Sequence, residues 1–188
     1  MNNLKLIYPT MEYEIEAKEY INEFIEYGSE PNGCAGLKRY LNDYDAWLTK
    51  INEDKSKMDK IPASTYFAIR EYDKKIIGTI NIRHGINETL LKKGGHIGFS
   101  VRPTERQKGY ATEILFLGLK KLKEMGIEKA LLTCDKDNIG SAKTIEKNCG
   151  ILENEIFDEE SNKMIQRYWI NVKTVIENRA NGVRPYCV

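Results

Sequence analysis

Apolar positions in this chain follow two periods, and the switch between them outlines the elements. Leu4 to Tyr8 reads as a short strand ended by Pro9. From Met11 to Tyr27 the apolar positions Ile15, Tyr20, Ile21, Phe24 and Ile25 recur at helical spacing, and Gly28 stops the run. Ser29 to Gly36 is a loop punctuated by Pro31 and by glycine and asparagine. Leu37 to Ile51 predicts a second helix with Leu37, Tyr40, Leu41, Tyr44, Trp47, Leu48 and Ile51 on one face. Asn52 to Lys60 is polar and reads as a solvated loop or a frayed helix end.

The period changes to two after Ser64. Thr65 to Arg70 and Ile76 to Arg83 predict a hairpin around Tyr72-Asp73-Lys74-Lys75. A polar excursion, Asn87 to Gly95, precedes a strand from His96 to Val101. Thr112 to Met125 predicts a helix closed by Gly126, and Ala130 to Cys134 a strand. Asn138 suits the N-cap of a helix to about Asn148. Ile151 to Phe157 and Lys163 to Ile170 form a last hairpin. With no linker or repeat, residues 1–170 read as one mixed α/β domain and 171–188 as an extension without a readable fold.

Composition adds exclusions. The net charge is +1 over 188 residues, so no broad basic field argues for nucleic acid. No apolar run approaches the ~20 residues that cross a bilayer, and the N-terminus lacks a signal-peptide segment. A cytoplasmic protein with no membrane partner is the expectation. Cys34, Cys134, Cys149 and Cys187 form no C-x-x-C pair, and His84 and His96 are the only histidines. No metal site is expected, and reduced thiols are.

The candidate chemistry lies between Val101 and Thr112. A strand ends at Val101, a turn carries Arg106, Lys108 and Gly109, and an amphipathic helix follows at once. Such a junction points several backbone N–H groups at one spot and adds the positive end of a helix, which suits a phosphate or pyrophosphate. Gly109 permits close backbone approach, and Ala111 is too small to block it. The spacing is neither a P-loop nor a G-x-G-x-x-G turn.

Val101-Arg102-Pro103 followed by Arg106-Gln107-Lys108-Gly109-Tyr110-Ala111 resembles the cofactor motif of the GNAT superfamily of acyl-CoA-dependent N-acetyltransferases, Q/R-x-x-G-x-G/A after a strand ending V-x-P. Asn138 and Ser141, after the strand Leu131 to Cys134, are similar to a second family feature. The resemblance implies a single mixed-sheet α/β fold with helices on both faces. It implies acetyl-CoA as co-substrate, with Phe99, Ser100 and Val101 pairing with the pantetheine arm. Arg106, Gln107, Lys108, Gly109, Tyr110, Ala111 and Thr112 would hold the pyrophosphate. Asn138 and Ser141 would lie beside the pantetheine, and Lys143 near the phosphate end. The implied reaction is direct attack of an amine on the thioester, with an N–H near Gly98 or Phe99 stabilising the oxyanion.

The sequence departs from many relatives where they carry a tyrosine as candidate acid, because Ile145 stands there. Lys147-Asn148-Cys149-Gly150 also holds one residue more than the common pattern. His96 is the candidate base, or else a strand-start histidine near the surface. His84 reads as structural or exposed, and Cys134 as a buried structural thiol. Tyr8, Tyr13, Tyr20 and Glu23 fall in the segment that helps form the acceptor pocket in the superfamily, although most aromatics there, like Tyr44 and Trp47, suit a core. Glu12, Glu14, Glu16, Glu19, Glu23 and Glu26 make the first helix acidic, which suits a cationic acceptor or a solvated face. The expected acceptor is a small-molecule amine, with the chain a monomer or homodimer. A protein N-terminus or lysine, or acyl-CoA binding without turnover, are the alternatives.

Overall fold

The period-2 segment after Ser64 becomes the centre of the fold. The computed structural model describes residues 4–55 and 61–182. Their elements are β1 (Leu4–Ile7), α1 (Glu14–Glu26), α2 (Tyr44–Glu53), β2 (Ala63–Arg70), β3 (Ile76–Arg83) and α3 (Glu88–Lys92). There follow β4 (Ile97–Val101), α4 (Tyr110–Glu124), β5 (Lys129–Asp135), α5 (Ile139–Glu146), β6 (Ile151–Asp158), β7 (Lys163–Asn171) and α6 (Val172–Ala180).

β1 to β4 pair in sequence order, each antiparallel to its neighbour. A second antiparallel group has the order β5-β7-β6. The α/β fold is as expected, but its sheet is divided into these two parts rather than continuous. At the division the His96 N–H donates to Leu131 O at 2.8 Å. Gly95 makes that approach possible: its φ is +58°, and a Cβ there would meet Leu131 O at 2.3 Å.

Strand alternation sends side chains to two cores. Tyr66, Ala68, Ile80 and Ile82 pack with Ile114, Leu115, Leu119 and Leu122 of α4. Phe67, Ile69 and Ile76 pack on the other face with Tyr20, Ile21 and Phe24 of α1 and Tyr44, Trp47, Leu48 and Ile51 of α2. Trp47 stacks on Phe67 at 5.7 Å and donates Nε1–H to Cys34 O. Tyr44 and Trp47 are thus core. Gly118 brings α4 onto the sheet, since a Cβ there would meet Ile80 Cδ1 at 2.5 Å.

Three local features depart from the sequence reading. The helix expected over Leu37–Ile51 is split into a 3-10 turn (Leu37–Tyr40) and α2. Asp43 causes the break: its φ is −147°, and its carboxylate accepts the Ala46 N–H, which makes it an N-cap. The excursion at 87–95 contains the short α3, capped by Asn87. The extension begins with α6, capped by Asn171, whose Val172 and Val175 are buried in the α4 core. Asn52–Lys60 is helix and turn as far as Lys55, and its remainder lies outside the described residues. Cys34 and Cys134 are free, whereas Cys149 is not, and Cys187 lies outside the described residues. The expectation of reduced thiols fails at Cys149, which is disulfide-bonded.

Candidate active site

The turn between β4 and α4 is held by buried charge. Glu105 is buried and accepts hydrogen bonds from Arg70 Nη1 at 3.1 Å and Lys108 Nζ at 2.9 Å. Burial opposes its ionisation, but Lys108 and Arg70 outweigh that and hold its pKa below the ordinary value. Arg70 Nη1 also donates to the Tyr110 hydroxyl. On the other side Arg102 pairs with Glu16 at 2.7 Å and Glu23 at 3.5 Å. Glu23 also accepts from the Thr104 N–H and hydroxyl. Part of the acidic face of α1 is therefore neither solvated nor turned to an acceptor. It anchors the turn.

Anchored this way, the turn presents donors. Gln107 and Gly109 both have positive φ, +62° and +84°. The N–H groups of residues 107–112 make no hydrogen bond among the described residues. They converge at the positive end of the 15-residue α4, a ready anion site. A Cβ on Gly109 would meet nothing within 4 Å, so the space beside these donors is open.

β4 supplies a second row. Arg102 N–H donates to Ile77 O at 2.8 Å, and antiparallel pairing alternates. In the register Ser100↔Thr79 and Gly98↔Asn81, the N–H groups of Ser100 and Gly98 thus point at β3. Those of Phe99 and Val101 point at the open side, where β5 has splayed away. A cleft of 910 Å³ runs along this edge. It is lined by Phe99, Ser100, Val101, Arg106, Gln107, Gly109, Tyr110, Ala111, Thr112, Asn138 and Ser141 among others, and Lys143 also borders it. Lys108 does not line it, being drawn to Glu105. Ser100 Oγ is turned away to Tyr20 and to Asn32 O, and the Tyr110 ring is buried, so both offer the cleft backbone. Asn138 caps α5 through Oδ1 to the Ser141 N–H at 3.1 Å, which leaves its Nδ2 for a ligand.

Neither reading of His96 survives. It is buried, absent from the cleft lining, and its Nδ1 accepts the Leu131 N–H at 3.0 Å. Burial pulls its pKa down, so the ring is neutral with its proton on Nε2, and its one lone pair is occupied. Its position is fixed by β5, a strand 35 residues away in sequence, which no local pattern signals. His84 is bound to Ser64 Oγ away from the cleft. Cys134 borders the cleft, but burial pushes its thiol up to about 11, so it is a protonated structural thiol. Ile145 is fully buried. Tyr20 is also fully buried, and Tyr8 is bonded to Tyr66. Cleft residues absent from the sequence reading include Arg83, Asn32 and Gly33. Arg83 had a signal: Thr79, Asn81 and Arg83 alternate with Ile80 and Ile82, a polar stripe on one face of β3.

A strand with a free edge, opening into an uncapped helix N-terminus beside a splayed neighbour, agrees with a match to the model of the acetyltransferase (GNAT) family over residues 13–151. The chain belongs to this family. It is a GNAT acetyltransferase. No curated protein matches it. Its fold is similar to that of Mycobacterium smegmatis RimJ in complex with CoA-disulfide, with a TM-score of 0.72 and 13% identity over 98% of this chain and 91% of that one. It is also similar to the microcin C7 self-immunity acetyltransferase MccE in complex with acetyl-CoA and AMP, at 0.64 and 18% over 90% and 92%. A spermidine N-acetyltransferase chimera of Vibrio cholerae SpeG and hSSAT gives 0.60 and 15% over 93% and 98%. Among the described residues no helix is long and apolar enough to cross a membrane, and no cluster of His, Cys, Asp and Glu could hold a metal.

Proposed function

We propose that this acetyltransferase acetylates the amine of a small molecule by direct attack, without a covalent enzyme intermediate. The unbonded N–H row of 107–112, continuous with the open edge of β4, carries the reading. Acetyl-CoA supplies an activated acetyl thioester when bound. The 107–112 turn would hold its pyrophosphate, and Phe99 and Val101 its pantetheine arm. Of the two donors suggested for the oxyanion, strand parity favours the Phe99 N–H over that of Gly98. The loop at 29–33 favours a small acceptor. It is seated on β4 so closely that a Cβ on Gly33 would meet Gly98 O at 2.2 Å, and it walls one side of the cleft at this end.

Calorimetric titration with acetyl-CoA, with desulfo-CoA as control, tests the reading. Micromolar binding, about −8 kcal/mol, is expected. No binding at high concentration overturns it. Ile145 supplies no acid, which favours binding without turnover as the second reading. Thioester consumption with an amine panel separates the two.

Proton transfer follows from the same geometry. His96 cannot take a proton at Nδ1 without surrendering the Leu131 N–H, and its lowered pKa opposes protonation. The carboxylates that border the cleft, Glu30, Glu105 and Asp135, are held in ion pairs, so this reading assigns the ammonium proton to water. The inflection in kcat/KM against pH should therefore follow the acceptor's own pKa. Two amines of different basicity should show inflections displaced by that difference. A common inflection near ~6.5 for both would return a histidine to the mechanism.

A further inference from the structure

Arg83 lines the cleft on the α1–α2 side, and no carboxylate answers its charge among the described residues. It ends β3 opposite His96, on the α1–α2 face shared by Gly98 and Ser100. Its Nη1 donates to Gly94 O and Gly95 O, both at 2.8 Å. Nε and Nη2 make no hydrogen bond among the described residues, and neither is sealed from solvent. A Cβ placed on Gly98 would lie 3.9 Å from Nη2 and 3.7 Å from Gly33 Cα. The free edge of the guanidinium thus flanks bare backbone, one residue from Phe99.

The electrostatics are one-sided. No carboxylate pairs with Arg83 among the described residues, and burial pulls its pKa down, though a guanidinium stays charged. The carboxylates bordering the cleft are already matched: Glu30 with Lys38, Glu105 with Arg70 and Lys108, and Asp135 with Lys163. A half-buried cation without a counter-ion calls for an anion, and the Nε–Nη2 edge fits a carboxylate or phosphate in two parallel bonds. A polyamine meets repulsion there.

We propose that Arg83 binds an anionic group of the acceptor, which is a small amine bearing a carboxylate or phosphate a few bonds from its nitrogen. The short span follows from the adjacency of Gly98 and Phe99 along β4, roughly 3.3 Å per residue. The assignment rests on the acetyltransferase reading above and adds the substrate class.

The test uses the full chain with acetyl-CoA and matched amines. α- and β-amino acids are compared with their carboxamides, and aminoalkyl phosphates with the corresponding amino alcohols. Spermidine and a peptide N-terminus are included. An anionic amine should exceed its neutral twin in kcat/KM on the order of 100-fold, and the arm that does so identifies the anion. Arg83→Gln should remove most of that preference while keeping acetyl-CoA affinity, and Arg83→Lys should keep part of it. Because Arg83 also ties down Gly94 and Gly95, acetyl-CoA binding serves as the folding control, and the wild-type pairs decide if Arg83→Gln fails it. Neutral twins, spermidine or the peptide turning over as well as the anionic amines would overturn the proposal. So would a folded Arg83→Gln that keeps the preference, or acetyl-CoA binding without turnover of any pair. Failure of wild-type protein to bind acetyl-CoA is a different result, which overturns the acetyltransferase reading itself.

Discussion

Replacing Gly109 with valine should weaken acetyl-CoA binding by at least ~100-fold while leaving the fold in place. Two effects separate here. The backbone effect is local: φ is +84°, and a β-branched residue in that conformation costs roughly 1–3 kcal/mol. For a chain of this size that lowers Tm by several degrees, at about 2–4 °C per kcal/mol. The second effect is occupancy. A Cβ at Gly109 meets no protein atom within 4 Å, so the side chain enters open space rather than the core. That space is where the N–H groups of 107–112 converge, and a branched side chain there stands where a pyrophosphate would be held. Gly126 provides the control. It too has positive φ, +76°, and nothing within 4 Å, but it closes the far end of α4 away from the cleft. Gly126→Val should lower Tm comparably and leave affinity unchanged. Calorimetry on both variants separates strain from site loss. Unchanged affinity in Gly109→Val would remove the cofactor assignment of the turn.

What was legible in the sequence was whatever one segment could specify alone. The order of strands and helices followed from period, and the 101–112 turn from a contiguous run of small and basic residues between a strand and a helix. Asp43 shows the limit of period: the apolar face runs through 37–51, but a side-chain cap at Asp43 outcompetes continuation. Features set by distant segments were not legible. His96 looked available until Leu131 occupied its lone pair, and the acids of α1 looked solvated until Arg102 and Thr104 engaged Glu16 and Glu23. The division of the sheet depends on Gly95 meeting Leu131, an approach that only the folded chain reveals.

Replacing Arg102 with alanine should destabilise the protein by roughly 3–5 kcal/mol, a fall in Tm of about 10 °C. Arg102 is 3% exposed, lies between Glu16 and Glu23, and ties α1 to the start of the 101–112 turn. Removing the cation leaves Glu16 in a site where desolvation already raises its pKa, with the Ile76 N–H and Arg102 the main opposing influences. Loss of Arg102 raises it further. A folded-state pKa above the unfolded one gives stability that is full below the unfolded value and lost as pH rises through the folded value. The variant's deficit should therefore be larger at pH 7 than near ~5, where Glu16 begins to protonate. Adding Glu16→Gln to Arg102→Ala should recover part of the loss at pH 7, because a neutral amide costs less to bury and still offers an oxygen to the Ile76 N–H. Denaturant titrations of the single and double variants at both pH values measure each term. A deficit that ignores pH and is not relieved by Glu16→Gln would mean that Arg102 acts through packing, its guanidinium lying over the Tyr20 ring at 5.7 Å, and not through the charges it joins.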